Sequence, residues 1–133
     1  MTIFEVCKKL DLTQDTLRYY ERIGLIPKIE KSSGGFREYT EQDCQRITII
    51  KFMRNADMPI QQLTQYIEMI RNGGDTLEAR KNLLRELRER LAEKIGELQT
   101  TLHALDERID GYERRIAQEE ENLFIPSITH SHS

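Results

Sequence analysis

Apolar residues recur in two rhythms along this chain, and the change of rhythm divides it. Up to residue 74 they come in short clusters separated by turn residues. Beyond it Leu77, Leu84, Leu91, Leu98, Leu105 and Tyr112 recur every seven residues. Ile95, Leu102, Ile109 and Ile116 form a second register offset by four, whose first two positions are filled by Lys81 and Arg88. No proline interrupts residues 75–122. This heptad repeat predicts one long helix whose seam requires a partner. Such a helix would run roughly 70 Å, with Gly96 and Gly111 each costing up to about 1 kcal/mol. The chain holds a single helix of this kind, so the expected partner is a second copy. The expected seam is Leu84, Leu91, Ile95, Leu98, Leu102, Leu105, Ile109 and Tyr112. Periodicity alone leaves parallel and antiparallel pairing open.

The first half reads as four shorter helices. Thr2 and Glu5 have capping-box spacing ahead of a helix from about Ile3 to Leu10. Thr13 can cap a second helix, from Gln14 to about Ile23, that ends at Gly24. Only Asp11-Leu12-Thr13 joins the two, which is the brevity of a helix-turn-helix. Leu25-Ile26-Pro27, the turn Ser32-Ser33-Gly34-Gly35 and Phe36-Arg37-Glu38-Tyr39 read as a hairpin, or wing. Thr40 opens a third helix with apolar positions Ile47, Ile50, Phe52 and Met53. Pro59 begins a fourth at its first position, with Leu63, Ile67 and Ile70 on the buried face and Gly73-Gly74 as its stop. The expected fold is therefore mainly α: a winged helix-turn-helix head with two supporting helices over residues 1–74, a dimerising coiled-coil helix over 75–122, and a flexible or fold-back tail over 123–133.

Charge sharpens where a partner would bind. The net charge is −3 with 32% charged residues, and bulk charge alone would not suggest nucleic acid. Residues 1–58 nevertheless hold ten Lys and Arg against nine Asp and Glu, while residues 59–133 hold ten against fourteen. Any nucleic-acid footprint is thus a local patch in the first half. No stretch is long and apolar enough for a signal peptide or membrane span, so a cytoplasmic protein with no membrane partner is expected. Cys7 and Cys44 are then expected as free thiols. No nucleophile with an adjacent base, phosphate-cradling glycine loop or paired carboxylates occurs at useful spacing, so no enzyme and no cofactor are expected. His130 and His132 are too few for a tight metal site.

The second helix concentrates the chemistry. Thr16, Tyr19 and Tyr20 lie near one another on it, with Arg18 and Arg22 four apart on a neighbouring strip and Leu17 turned inward. Arginine can donate twice to a guanine edge or a phosphate, and the hydroxyls suit phosphate or base contacts. From the wing, Lys28, Lys31, Arg37 and Tyr39 could clamp the adjoining backbone. Spacing alone fits equally a solvated helix whose arginines pair with surface carboxylates. It also leaves open a coiled-coil adaptor that binds protein and no DNA.

The run Thr16-Leu17-Arg18-Tyr19-Tyr20-Glu21-Arg22-Ile23-Gly24-Leu25-Ile26 resembles the signature of MerR-type transcription regulators, and Phe36-Arg37-Glu38-Tyr39-Thr40 resembles that family's wing exit. The likeness continues through Met58-Pro59-Ile60 into the long helix. It implies a homodimer joined by an antiparallel coiled coil on double-stranded promoter DNA. It further implies that an effector makes the dimer bend and untwist the promoter, so that RNA polymerase is influenced through the DNA. By the same resemblance Arg18 and Tyr19 match recognition-helix contacts, and Tyr20, Arg37 and Tyr39 match backbone contacts or their supports.

This chain also departs from the pattern. Asp11 and Asp57 stand where the family often has glycine after the first and third helices, and aspartate tolerates the left-handed conformation at a cost. Metal-sensing members carry cysteines around the long helix, where this chain has none, so no metal site is expected. Aldehyde-responsive members place a cysteine at the position that aligns with Phe52. Cys44, in the first turn of the third helix, becomes the candidate sensor thiol, against the alternative that both cysteines are buried and inert.

Overall fold

The computed structural model describes residues 1–126, so His130 and His132 lie outside the described residues. It contains α1 (Ile3–Leu10), α2 (Gln14–Arg22), α3 (Glu41–Asn55), α4 (Ile60–Asn72), α5 (Leu77–Asp110), a π-helical turn (Tyr112–Ile116) and α6 (Ala117–Phe124). Two compact units are present, Met1–Leu91 and the segment from Ala92 onward.

Helix starts in the first unit are fixed by side chains of the expected residues. Thr2 and Thr40 each complete a capping box, with Glu5 and Asp43 reaching back, and Thr13 accepts from the Thr16 amide. Pro59 is the N-cap of α4 rather than its first helical residue, because its ψ of 146° is extended. Gly24 takes φ +81°, and Asp11 and Asp57 take φ 54° and 66°. Both aspartates thus adopt the left-handed conformation that the substitution for glycine requires.

The core joins Val6 of α1, Leu17 and Tyr20 of α2, Ile26 and Ile29 beyond it, Ile47, Ile50 and Met53 of α3, and Leu63 of α4. Two expectations fail here. Phe52 is exposed, because it lies off the face that Ile47, Ile50 and Met53 share, and Ile70 is exposed as well. The head also reaches past residue 74: Leu87 is buried in its core and Leu84 packs against it. Leu84, expected in the dimer seam, thus already has neighbours within its own chain.

The wing is built with little sheet. A single antiparallel bridge joins Lys31 and Arg37. The Ser32 amide donates to the Phe36 carbonyl at 2.6 Å, the Glu38 amide to the Glu30 carbonyl at 2.9 Å, and Gly35 turns the tip at φ +83°.

In the second unit α5 ends at Asp110 instead of continuing to residue 122. The Arg108 guanidinium donates to Glu120 Oε2 at 3.0 and 3.2 Å, and the Tyr112 hydroxyl to Glu120 Oε1 at 3.0 Å. Twelve residues of straight helix would separate Arg108 and Glu120 by about 18 Å, so the chain doubles back through the π turn. The reversal starts at Gly111, whose φ of −92° is open to any residue, and a Cβ there would press on Ile116 Cδ1 at 3.3 Å. Ile116, the last residue of the second heptad register, is buried in this reversal.

Candidate nucleic-acid interface

The exposed side of α2 is organised by its own first turn. Thr13 holds the Thr16 amide at 3.1 Å and its hydroxyl lies 2.8 Å from that of Thr16. Arg18 reaches Gln14 Oε1 at 3.1 Å and lies 3.9 Å from Asp15, with half of its side chain exposed. Arg22 lies over the Tyr19 ring, 5.4 Å from its centroid. That cation–π contact keeps the exposed Arg22 side chain against Tyr19 and leaves its N–H groups open to an anion. The face is thus cationic and aromatic, and its ion pairing to Asp15 is long and solvent-screened.

Beside this face lies an open hollow bordered by Asp15, Thr16, Tyr19, Tyr20, Arg54 and Ile60. Arg54, at the end of α3, donates to the Met58 carbonyl at 2.7 Å and adds a positive charge that sequence reasoning missed. Nothing local in the sequence marks it; only the packing of the α3–α4 turn beside α2 brings it there.

The nine expected contact residues do not share one environment; Lys31 is exposed at the wing's bridge. Thr16, Arg18, Tyr19 and Arg22 lie on the accessible side of α2, and Lys28 is exposed at the wing's entry. Tyr20 is buried in the core through its ring yet borders the hollow. Tyr39 differs from the expectation of a clamp, being 2% exposed with its hydroxyl enclosed. Burial, with the nearby Glu21 carboxylate adding to it and Arg37 opposing, holds that hydroxyl above the ordinary tyrosine range. It supports the wing from within and does not reach a ligand in this conformation. Arg37 is partly exposed and lies 3.6 Å from Glu21 Oε2.

The cysteines are free and occupy different sites. Cys44 belongs to the head core at 4% exposure. Its side chain is enclosed by that core and not presented to solvent. Cys7 is half-buried, and burial pushes its thiol up against a smaller downward pull from Arg18. Among the described residues no group of three or more His, Cys, Asp or Glu is placed to hold a metal. A separate apolar hollow of about 230 Å³ lies between α3, α4 and the wing's entry, lined chiefly by Leu25, Ile49, Ile50, Tyr66, Ile67 and Ile70.

A helix-turn-helix with a short wing, carrying its cationic and aromatic side chains on the second helix, defines a DNA-binding head. The chain belongs to the MerR family of helix-turn-helix regulatory proteins: the family's regulatory-protein model matches residues 1–70 and its DNA-binding model matches residues 44–118. It is 47% identical to the transcriptional regulator AdhR of Bacillus subtilis over 93 residues, 70% of this chain and 66% of that protein, so the match spans just under two thirds of AdhR. A crystal structure of a MerR-family regulator from Listeria monocytogenes superposes with a TM-score of 0.74 at 38% identity, covering 92% of this chain and 93% of that one. The MerR-family regulator HiNmlR, described as lacking the sensor domain and bound to promoter DNA, shares the fold at a TM-score of 0.79 and 24% identity, covering 95% and 96% of the two chains. The family fixes what the geometry serves: this is a DNA-binding transcription regulator.

Proposed function

We propose that the protein binds promoter DNA as a homodimer, with α2 in the major groove and the wing on the adjoining backbone. In this reading Arg18 and Tyr19 read or position the groove, with Thr16, Arg22, Lys28 and Arg37 on phosphates. Tyr20 and Tyr39 brace that face from behind. The observation that carries it is the accessible α2 face, where Arg18 and Arg22 are exposed and the half-buried Tyr19 packs on the core beneath Arg22. The dimer is formed by Leu91, Ile95, Leu98, Leu102, Leu105 and Ile109 of two copies, and the exposure of Leu98 and Leu102, 61% and 60%, supports it. RNA polymerase is influenced through distortion of the promoter, and the protein carries no reaction of its own. Among the described residues no helix is long and apolar enough to cross a membrane, which is consistent with action on DNA in the cytoplasm. A role for Cys44 in sensing would require opening of α3's first turn, and its signature would be a promoter response to aldehyde that Cys44→Ser abolishes.

The decisive experiment titrates a duplex, selected by the wild-type protein from a random pool, at several salt concentrations. A phosphate-dependent salt slope is expected. Arg18→Ala should lower specific affinity by about 1–3 kcal/mol while leaving the circular-dichroism spectrum and melting curve unchanged. Wild-type affinity in a folded Arg18→Ala protein would remove the recognition-helix assignment.

A further inference from the structure

Two buried polar oxygens in the head lack a hydrogen-bond partner, Glu21 Oε2 and the Tyr39 hydroxyl. Such atoms are rare in folded proteins and each costs free energy. Both lie in the same small region, where α2 meets the wing. Glu21 is one residue ahead of Arg22 and one helical turn beyond Arg18 on α2. From there Oε1 accepts the Ile29 amide at 3.4 Å, at the wing's entry, while Oε2 faces Arg37 Nη2 at 3.6 Å, at the wing's exit. The Glu21 side chain is 13% exposed and that of Arg37 34%. One carboxylate on the recognition helix therefore touches both legs of the wing, and the guanidinium it faces is partly open to solvent.

We propose that Glu21 is a positioning residue for DNA binding: it fixes the Arg37 guanidinium at a set distance from the α2 face, so that groove and backbone contacts engage together. This rests on the reading of Arg37 as a phosphate contact. The geometry gives Arg37 donors to spare, since a guanidinium has five N–H groups and can serve a carboxylate on one edge and a phosphate on the other. At 3.6 Å the pair is longer than a charge-assisted hydrogen bond, so the carboxylate holds Arg37 by charge and leaves its N–H groups to a phosphate.

Specificity should suffer more than affinity when Glu21 is lost. Removing its charge frees Arg37 and makes the surface more positive, which favours any duplex, whereas only the correctly seated site depends on the set distance. The test measures binding of full-length Glu21→Gln, Arg37→Ala and the double variant to the selected duplex and to an unrelated duplex of equal length. Glu21→Gln should lower the ratio of the two affinities about tenfold, the scale of one charge-assisted hydrogen bond. In the Arg37→Ala background it should lower the ratio no further. A wild-type ratio for Glu21→Gln, or the same loss with and without Arg37, overturns the proposal; a merely structural role predicts the second result. If instead Arg37→Ala leaves affinity and salt slope unchanged, the phosphate reading of Arg37 fails and takes the proposal with it. Glu21→Asp, which keeps the charge but shortens its reach, carries the same comparison if Glu21→Gln does not fold.

Discussion

The two units solve the problem of apolar residues in opposite ways. In the segment up to Leu91, side chains from α1 to α4 and the start of α5 close over one another, leaving Val6, Leu17, Ile47 and Leu63 with no exposure. In the segment from Ala92, Ile95, Leu98, Leu102, Leu105 and Ile109 remain exposed along one stripe of α5. Burying a leucine stabilises by about 1.5–3 kcal/mol, so the head collects this gain within one chain while α5 collects it only against another helix. The first unit covers its apolar side chains within one chain; the second leaves a stripe that the proposed dimer would cover.

That contrast can be broken most forcefully at the seam. Changing Leu98 and Leu102 together to aspartate should dissociate the proposed dimer, because four charges would enter its seam without partners. Sedimentation velocity should show monomer, with loss of helical signal from α5. An intact dimer would place the interface elsewhere. A core truncation tests the head by the opposite signature. Leu17→Ala should cost about 2–5 kcal/mol and lower the melting temperature without creating a new oligomeric state.

Smaller effects sharpen the comparison. Asp11 sits at φ 54° after α1, so Asp11→Gly should stabilise the head by up to about 1 kcal/mol, seen as a raised denaturant midpoint. A glycine variant no more stable than wild type would mean that the aspartate side chain offsets its backbone strain. The weakest effect concerns the reversal after α5. Hydrogen bonds from Arg108 and then Tyr112 hold the Glu120 carboxyl below the ordinary carboxylate range. A lowered folded value means that this stabilisation is full above the unfolded carboxylate value and fades as pH falls through the lowered one. The Glu120 contacts should therefore loosen only in acid, detectable as a shift of the Tyr112 resonances that Glu120→Gln removes at neutral pH.

Legibility followed the same divide. The caps of α1, α2 and α3 were readable because Thr2, Thr13 and Thr40 act through bonds three residues away, and Gly24 and the two aspartates announced left-handed ends. Local chemistry of that kind is written in local sequence. The heptad repeat, however, looks alike whether a leucine faces its own head or a partner, so it does not reveal that Leu84 packs partly on the head core. Gly111 looked like a weakness in a helix and is the point where the chain turns. The three tyrosines 19, 20 and 39 carry identical chemistry, and only packing separates the accessible Tyr19 from the enclosed Tyr39. Glu21 and Arg54 passed unnoticed because their roles depend on residues 16 and 4 positions away respectively, through turns of irregular backbone.

The wing's single bridge has a consequence in time. Amides of α3 within the core exchange with solvent only when the whole head opens, whereas those of Ser32 and Glu38 are released by separating two short legs. Exchange at the wing should therefore be fast and nearly indifferent to global stability. The part assigned to the DNA backbone is also the part that can part from it alone, so residence on DNA can be tuned there by substitutions that leave the melting temperature of the head unmoved.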